Sequence, residues 1–371
     1  MTKIWTFAAI GLLCGSQAAH AFPENVRNGY NNCTSCHFSP SGGGVLTAYG
    51  RQLSREVVSA AGNEGEEQFL HGLVQTPESA MLGGGLRAIQ TYLDNPLIKQ
   101  GRFIVMQADL EPALTFGKVS AVGTIGIEKI EKQAVSSQRG VLSRRHYVNY
   151  KPTDEVSLRA GRFMPAFGIN VPDHVIATKK GLGFDQHHET YNFEAAWLGE
   201  TADFYVTAIF GRNDKIYGQL EKGAAFTPSV FLSEKYKLGA SYFYGYTSST
   251  KRHLFGPWAI LGFTPRFFLL SEWDYQAFYN KGQSTPSRTG FAGYQRLDYE
   301  AWKGIHFYLT QEYSMLDRRD NSSFKEGYGL GAQIFPRPHF EINALWQKQR
   351  MFSISKTVFY DYAWLMLHYY L

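Results

Sequence analysis

From Leu82 to the end of the chain, apolar and polar residues alternate with a period of two. Tyr328, Leu330, Ala332 and Ile334 alternate with Gly327, Gly329, Gly331 and Gln333, and Phe340, Ile342, Ala344 and Trp346 with His339, Glu341, Asn343 and Gln347. Tyr236, Leu238, Ala240, Tyr242, Tyr244 and Tyr246 alternate with Lys237, Gly239, Ser241, Phe243 and Gly245. A helix, with its period of 3.6, would scatter these residues around its axis, whereas a strand sorts them onto two faces. An apolar face opposite a polar or small one suits either a half-buried soluble sheet or a strand lying against lipid.

The connections choose between the two. Sixteen alternating segments run from near residue 83 to near residue 357. Tight links ("KPTD", "GET", "EKYK", "TPR", "EAWKG", "PRP") take turns with longer polar ones ("DNPLIKQ", "EKIEKQAVSSQRG", "FGRNDKIYGQLEKG", "NKGQSTPS", "LDRRDNSS"). Short turns at one end and long loops at the other mark a barrel that crosses the outer membrane. Aromatic content is 15%, with 23 Tyr and 27 Phe, as interfacial girdles require. The last segment, "VFYDYAWLMLHYYL", is itself aromatic-rich and runs to Leu371. The expectation is an all-β fold: a transmembrane antiparallel outer-membrane β-barrel of about sixteen strands over residues 82–371. An even strand count places both chain ends on the periplasmic side. The longest loop, "FMPAFGINVPDHVIATKKGLGFDQHHE", follows the fifth strand and is expected to fold inward.

The N-terminus reads as an export signal over residues 1–21. Lys3 precedes the short apolar run "IWTFAAIGLLCG", and "AHA" at Ala19–Ala21 is a small-x-small cleavage site. Cys14 lies in this leader. The run is too short to span a bilayer. The formal net charge of +5 is too slight to imply a nucleic-acid partner.

Residues 22–81 form a segment of a different kind. A helix is expected over residues 45–61, where Tyr49, Leu53 and Val57 recur every four residues, with Ser41 and the glycines after it as its start. A short second helix is expected after it. A segment this small buries too little surface to be stable without a staple or a cofactor.

That segment holds "CTSCH", with Cys33, Cys36 and His37. Two thiols three apart followed by histidine form the attachment motif for c-type haem. Both sulfurs can reach one edge of a porphyrin, and the histidine can reach its iron. Zinc would need four ligands, and no second cysteine pair exists in the sequence. A thioredoxin-type motif would need a βαβ context. One covalent haem c is therefore expected, with Cys33 and Cys36 as attachment points and His37 as proximal iron ligand. His71 is the candidate distal ligand and Met81 the alternative. Phe38, Tyr49, Leu53 and Val57 are candidate packing partners. In the long loop, His174, His187 and His188 lie among carboxylates and are candidates for an external metal ion. His306, Glu312, His339 and Glu341 are expected to face the haem segment from the lumen wall.

Two resemblances follow from these residues. "GRFMPAFG" (Gly161–Gly168) resembles a turn of the phosphate-selective porin families. The monohaem motif at Cys33-Thr34-Ser35-Cys36-His37, "LTAYGR" (Leu46–Arg51) and the barrel after them resemble the fused outer-membrane cytochrome–porins of iron-oxidising and other extracellular-electron-transfer bacteria. That resemblance implies a haem segment that plugs the barrel and moves electrons across the outer membrane of a Gram-negative bacterium. It also implies a periplasmic cytochrome or other redox partner on one side and an extracellular metal ion such as Fe(II), or a soluble donor, on the other. The iron oxidisers carry an aromatic-Ala-Arg-Gln-Thr-Gly stretch before the first cysteine, where this chain has "VRNGYNN". The donor is left open by that departure. The alternative is a solute or oxyanion porin whose haem segment is structural or sensory. A third option is a haem enzyme of the peroxidase kind, which an open sixth iron position would favour.

Overall fold

The structure, a computed structural model, describes residues 23–371 apart from residue 31 and residues 133–135, 215–217 and 354–355. The expected leader over residues 1–21 lies outside the described residues.

Sixteen strands follow one another around a closed antiparallel sheet. Nineteen extended segments make them up, because three strands are interrupted by one to three residues. β1 is Ala80–Asp94, β2 Lys99–Phe116, β3 Val119–Gly123 with Ile125–Lys132, and β4 Ser136–Leu142 with His146–Tyr150. β5 is Val156–Phe163, β6 Thr190–Leu198, β7 Ala202–Asp214, and β8 Gly218–Leu220 with Lys222–Ser233. β9 is Tyr236–Tyr246, β10 Thr250–Thr264, β11 Phe267–Asn280 and β12 Arg288–Trp302. β13 is Ile305–Met315, β14 Phe324–Ile334, β15 Phe340–Ser353 and β16 Lys356–Tyr370. Each pairs with the next, and β16 pairs back onto β1 from Gly85↔Tyr370 to Asp94↔Asp361. No helix among the described residues is long and apolar enough to cross a membrane.

The alternation is inverted relative to a soluble barrel. On β14, Tyr328 and Leu330 are each 56% exposed on the outside, while Gln333 is buried within. On β15, Phe340, Ile342 and Trp346 face out, and Glu341, Asn343, Gln347 and Gln349 are buried. Exposed aromatics gather within a few residues of the tight turns: Phe116, Tyr150, Trp197, Phe204, Trp302 and Phe340. Such a ring suits the headgroup zone of a bilayer.

Several stretches expected as polar loops are paired strand instead. β2 starts at Lys99, β3 runs to Lys132, β7 runs to Asp214, and β8 starts at Gly218. Past the apolar belt both faces of a hairpin can be polar and still keep the ladder, so alternation fades before the strand ends. Residues 164–189 remain a long loop and do fold inward. The stacked rings of Phe167 and Phe184 (centroids 4.7 Å apart) sit in a buried cluster with Ile209, Phe243 and Leu254 of the wall. The wall also holds the loop's backbone. Ile169 N donates to Glu272 Oε2 (2.8 Å), Ala177 N to Glu312 Oε2 (3.1 Å), and Arg252 to the Leu182 carbonyl (2.5 Å).

The outward belt can be tested by charge. Leu330→Arg should destabilise the barrel by about 2–4 kcal/mol if that residue lies near the bilayer midplane. Reversible urea unfolding in lipid vesicles would measure this, and an unchanged midpoint would contradict the lipid-facing assignment.

Candidate functional site

Residues 23–79 lie against the inner wall at the end of the tight turns. Arg27 pairs with Glu300 (2.8 Å) and donates to the Pro265 carbonyl (2.8 Å). Arg51 donates to the Leu82 carbonyl (2.5 Å), and Ser54 meets the Tyr370 hydroxyl (3.0 Å). His339 is not on a strand but in the turn before β15, at φ +70°, with Nε2 against the Glu67 carbonyl (2.9 Å). Of the other wall residues expected to face this segment, Glu312 holds the inward loop and His306 is bonded to Asp298 (2.8 Å), while Glu341 lines the cavity described below.

The local fold around the thiols follows from the sequence. Cys33–Ser35 is one turn of 3₁₀ helix, in which the Cys33 carbonyl accepts from both Cys36 N (3.2 Å) and His37 N (2.9 Å). Cys33 Sγ comes beside Gly42, and Cys36 is buried with Tyr30 and Leu53. Neither is in a disulfide. The chain then reverses through Gly42, Gly43 and Gly44, all in the left-handed region (φ +82°, +75° and +76°). Three such residues in a row are within reach of glycine only. The reversal brings the Gly44 carbonyl to His37 Nδ1 (3.2 Å).

The helix after it is α1, Ala48–Leu53, continued by a wider turn over Ser54–Val58. It is shorter than expected. Thr47 caps it, not Ser41: Thr47 Oγ1 accepts from Gly50 N (3.1 Å) and donates to the Ser35 carbonyl (2.8 Å). The expected face is present, since Leu53 is buried with Tyr30 and Cys36, and Tyr49 and Val57 pack against them. Phe38 packs elsewhere, beside Val45 and Met81. The expected second helix is absent; residues 64–73 are turns.

Between this segment, the inward loop and the wall lies a cavity of about 430 Å³. This falls within the range of small-molecule sites, about 300–1,000 Å³. Cys33, Cys36 and His37 all line it, with apolar surface from Phe163, Trp258 and Ile260. The wall adds cations at Arg87, Arg144, Arg145, Arg159, Lys179 and Lys237. Arg159 binds Ser39 Oγ (2.9 Å) and Ser41 Oγ (3.2 Å) while paired with buried Glu194 (2.6 Å). Asn170 of the inward loop donates to the Ser41 carbonyl (2.7 Å). Burial lowers the His37 pKa to about 4, so its ring is neutral at pH 7. Burial raises that of the Cys33 thiol.

The residues fit a covalent c-type haem on four counts. Both cysteines of the pair line the cavity. His37 has one nitrogen fixed by a carbonyl, the usual way of orienting an iron-binding imidazole. The wall supplies cations for two propionates, and Arg87 Nε is buried there without a hydrogen-bond partner. The cavity also presents apolar surface for a porphyrin face.

The other candidates are placed differently. His71 is outside the cavity lining, its ring stacked on Phe340 (5.5 Å) beside His339 and Tyr369. Met81 is in a buried cluster with Val45, Ala113 and Phe163, its sulfur accepting from Thr76 (3.9 Å). Neither His71 nor Met81 is among the residues that line the cavity. Nor do His174, His187 and His188 form a metal site. Among the described residues no three His, Cys, Asp or Glu side chains are grouped to hold an ion. His174 turns to Asp185 (Nδ1 to Oδ1, 2.5 Å). The His187 carbonyl accepts from Arg212 (2.6 Å), and the His188 amide donates to the Asp185 carbonyl (3.2 Å).

No protein-family model matches the chain, and no curated protein does. Solved outer-membrane channels match its fold. The channel DcaP of Acinetobacter baumannii aligns with a TM-score of 0.56 at 11% identity over 79% of this chain and 97% of its own. OmpT of Vibrio cholerae (in-vitro folded) gives 0.60 at 9% over 81% and 100%. An anion-selective porin from Comamonas acidovorans gives 0.58 at 11% over 79% and 99%. The fold is that of the outer-membrane porins. About a fifth of this chain falls outside each match.

Gly50 is the tightest point of the site. A Cβ there would stand 2.5 Å from the Cys36 carbonyl oxygen and 2.9 Å from its Cα. Gly50→Ala should therefore push α1 off the cysteine turn at a cost of about 1–3 kcal/mol. The expected result is faster proteolysis within residues 23–79 with unchanged heat-shifted mobility of the barrel. Equal resistance in both proteins would mean the contact is not maintained.

Proposed function

We propose that this chain is a porin-type barrel of a Gram-negative outer membrane, with a haem-carrying segment in its lumen, and that it passes electrons across the bilayer. The observation that carries this reading is the cavity shared by Cys33, Cys36 and His37. Bound there, haem c supplies one-electron redox chemistry. Cys33 and Cys36 would hold it by thioethers, and neutral His37 would offer Nε2 to the iron. Arg87, Arg144 and Arg145 would neutralise the propionates. The wall keeps lipid away, and the segment with the inward loop obstructs the lumen. Glu194 and Asp298 are inside the barrel yet completely buried, unlike the water-washed wall of an open pore.

Residues 23–28 and Leu371 lie at the rim of the tight turns, and in this reading that rim is periplasmic. A periplasmic redox protein then docks at the side where the segment enters. One haem cannot lie close to both faces of an apolar band about 25 Å tall. The outer partner, a soluble donor or a metal ion such as Fe(II), must therefore come down to the inward loop. No bond-making step is assigned, so enzyme activity is not part of this reading.

The second reading is solute or oxyanion passage, with the segment as a structural or sensory element. The comparisons favour it over electron transfer, because the similar structures are channels and one is named as anion-selective. The cations of the cavity suit an anion equally well.

Two measurements separate these readings. Purified protein should keep a haem-stained band in a denaturing gel, and Cys33→Ala with Cys36→Ala should abolish it. No stain in the unaltered protein removes the haem. In planar bilayers the full chain should conduct poorly, and deletion of residues 23–79 should open it. Large single-channel conductance in the full chain would favour solute passage.

A further inference from the structure

We propose that His174, supplied by the inward loop, is the second axial ligand of the iron. This rests on the haem reading above. His174 lines the same cavity as Cys33, Cys36 and His37. It follows Asn170 by four residues, and Asn170 is bonded to the Ser41 carbonyl of the cysteine loop (2.7 Å). A Cβ at Gly42 would touch both Cys33 Sγ (3.3 Å) and Asn170 Nδ2 (3.4 Å), so loop and thiol meet there.

The imidazole is already set up as a ligand. Nδ1 faces Asp185 Oδ1 at 2.5 Å, and the carboxylate can only accept, so in the neutral ring the proton is on Nδ1 and the lone pair on Nε2. That Nε2 is buried and has no hydrogen-bond partner. A buried polar atom without a partner calls for an explanation, and a histidine–carboxylate pair is the common outer-shell arrangement at metal centres. His37, which lines the same cavity, shows the same pattern, with Nδ1 on the Gly44 carbonyl. The remaining cavity histidine, His368, is bonded to Glu341 (2.9 Å) and sits on β16 between two paired neighbours, so the wall fixes it. His174 comes instead from the inward loop, which Asn170 ties to the cysteine loop.

The test is spectroscopic, on haem-stained full-length protein in detergent. The unaltered protein should be six-coordinate and low-spin in both redox states. His174→Ala should lose the low-spin signature, bind carbon monoxide when reduced, and recover the low-spin spectrum in added imidazole. Its heat-shifted mobility should be unchanged. His71→Ala, Met81→Ala and His368→Ala should leave the spectrum as it was. Asp185→Asn, which keeps the ring but weakens its basicity, should shift the midpoint potential upward. A low-spin spectrum that survives His174→Ala, its loss in any of the other three alanine variants, or an unmoved potential in Asp185→Asn would overturn the assignment while leaving the haem in place. Protein without covalent haem would overturn both.

Discussion

A chain crossing a bilayer must pair every backbone N–H and C=O within itself, because hydrocarbon offers no partner. For strands this leaves one solution, a sheet without edges. The pairing of β16 with β1 is that closure. The rest depends on it. Once the sheet closes, one face of every strand belongs to lipid and the other to a lumen. Polarity therefore inverts, with Leu330 and Trp346 outside and Gln333, Asn343 and Gln347 within.

The lumen then faces the constraint of a soluble core with different material. Its buried polar groups need partners. Some come from the wall, as in Arg296–Asp298–His306. Others come from the two elements that enter. Arg159 serves both, closing on Glu194 and on the serines of the cysteine loop. A further group of lumen residues is apolar, and there the inward loop and the segment find a surface. Val26, Ile169, Trp258 and Phe268 form one cluster drawn from all three parts.

The barrel was legible because its signal is local and repeated. Each strand carries its own alternation, and the tight turns punctuate it, so strand starts fall within a few residues of expectation. The polar hairpin tips were not legible as strand, since outside the bilayer neither face need be apolar. The packing face of α1 was readable from Tyr49, Leu53 and Val57, but its cap was not. Thr47 is chosen by its bond to the Ser35 carbonyl, a contact set by the chain reversal at the glycines. The positions of His71, Met81 and His174 depend on which surfaces meet inside a closed tube. Sequence neighbourhood suggested His71 and Met81 beside the cysteines, whereas the histidine of the inward loop that lines the cavity with them is His174. The pairing of His174 with Asp185, eleven residues on, has no periodic signature to read.

The segment grips both sides of the closing seam. Arg51 holds the Leu82 carbonyl on β1, Ser54 holds Tyr370 on β16, and Leu371 N donates to the Gly84 carbonyl beside them. The first strand and the last can thus be brought into register by a clasp that reaches each of them. The closing seam is thus braced from within as well as by its own ladder.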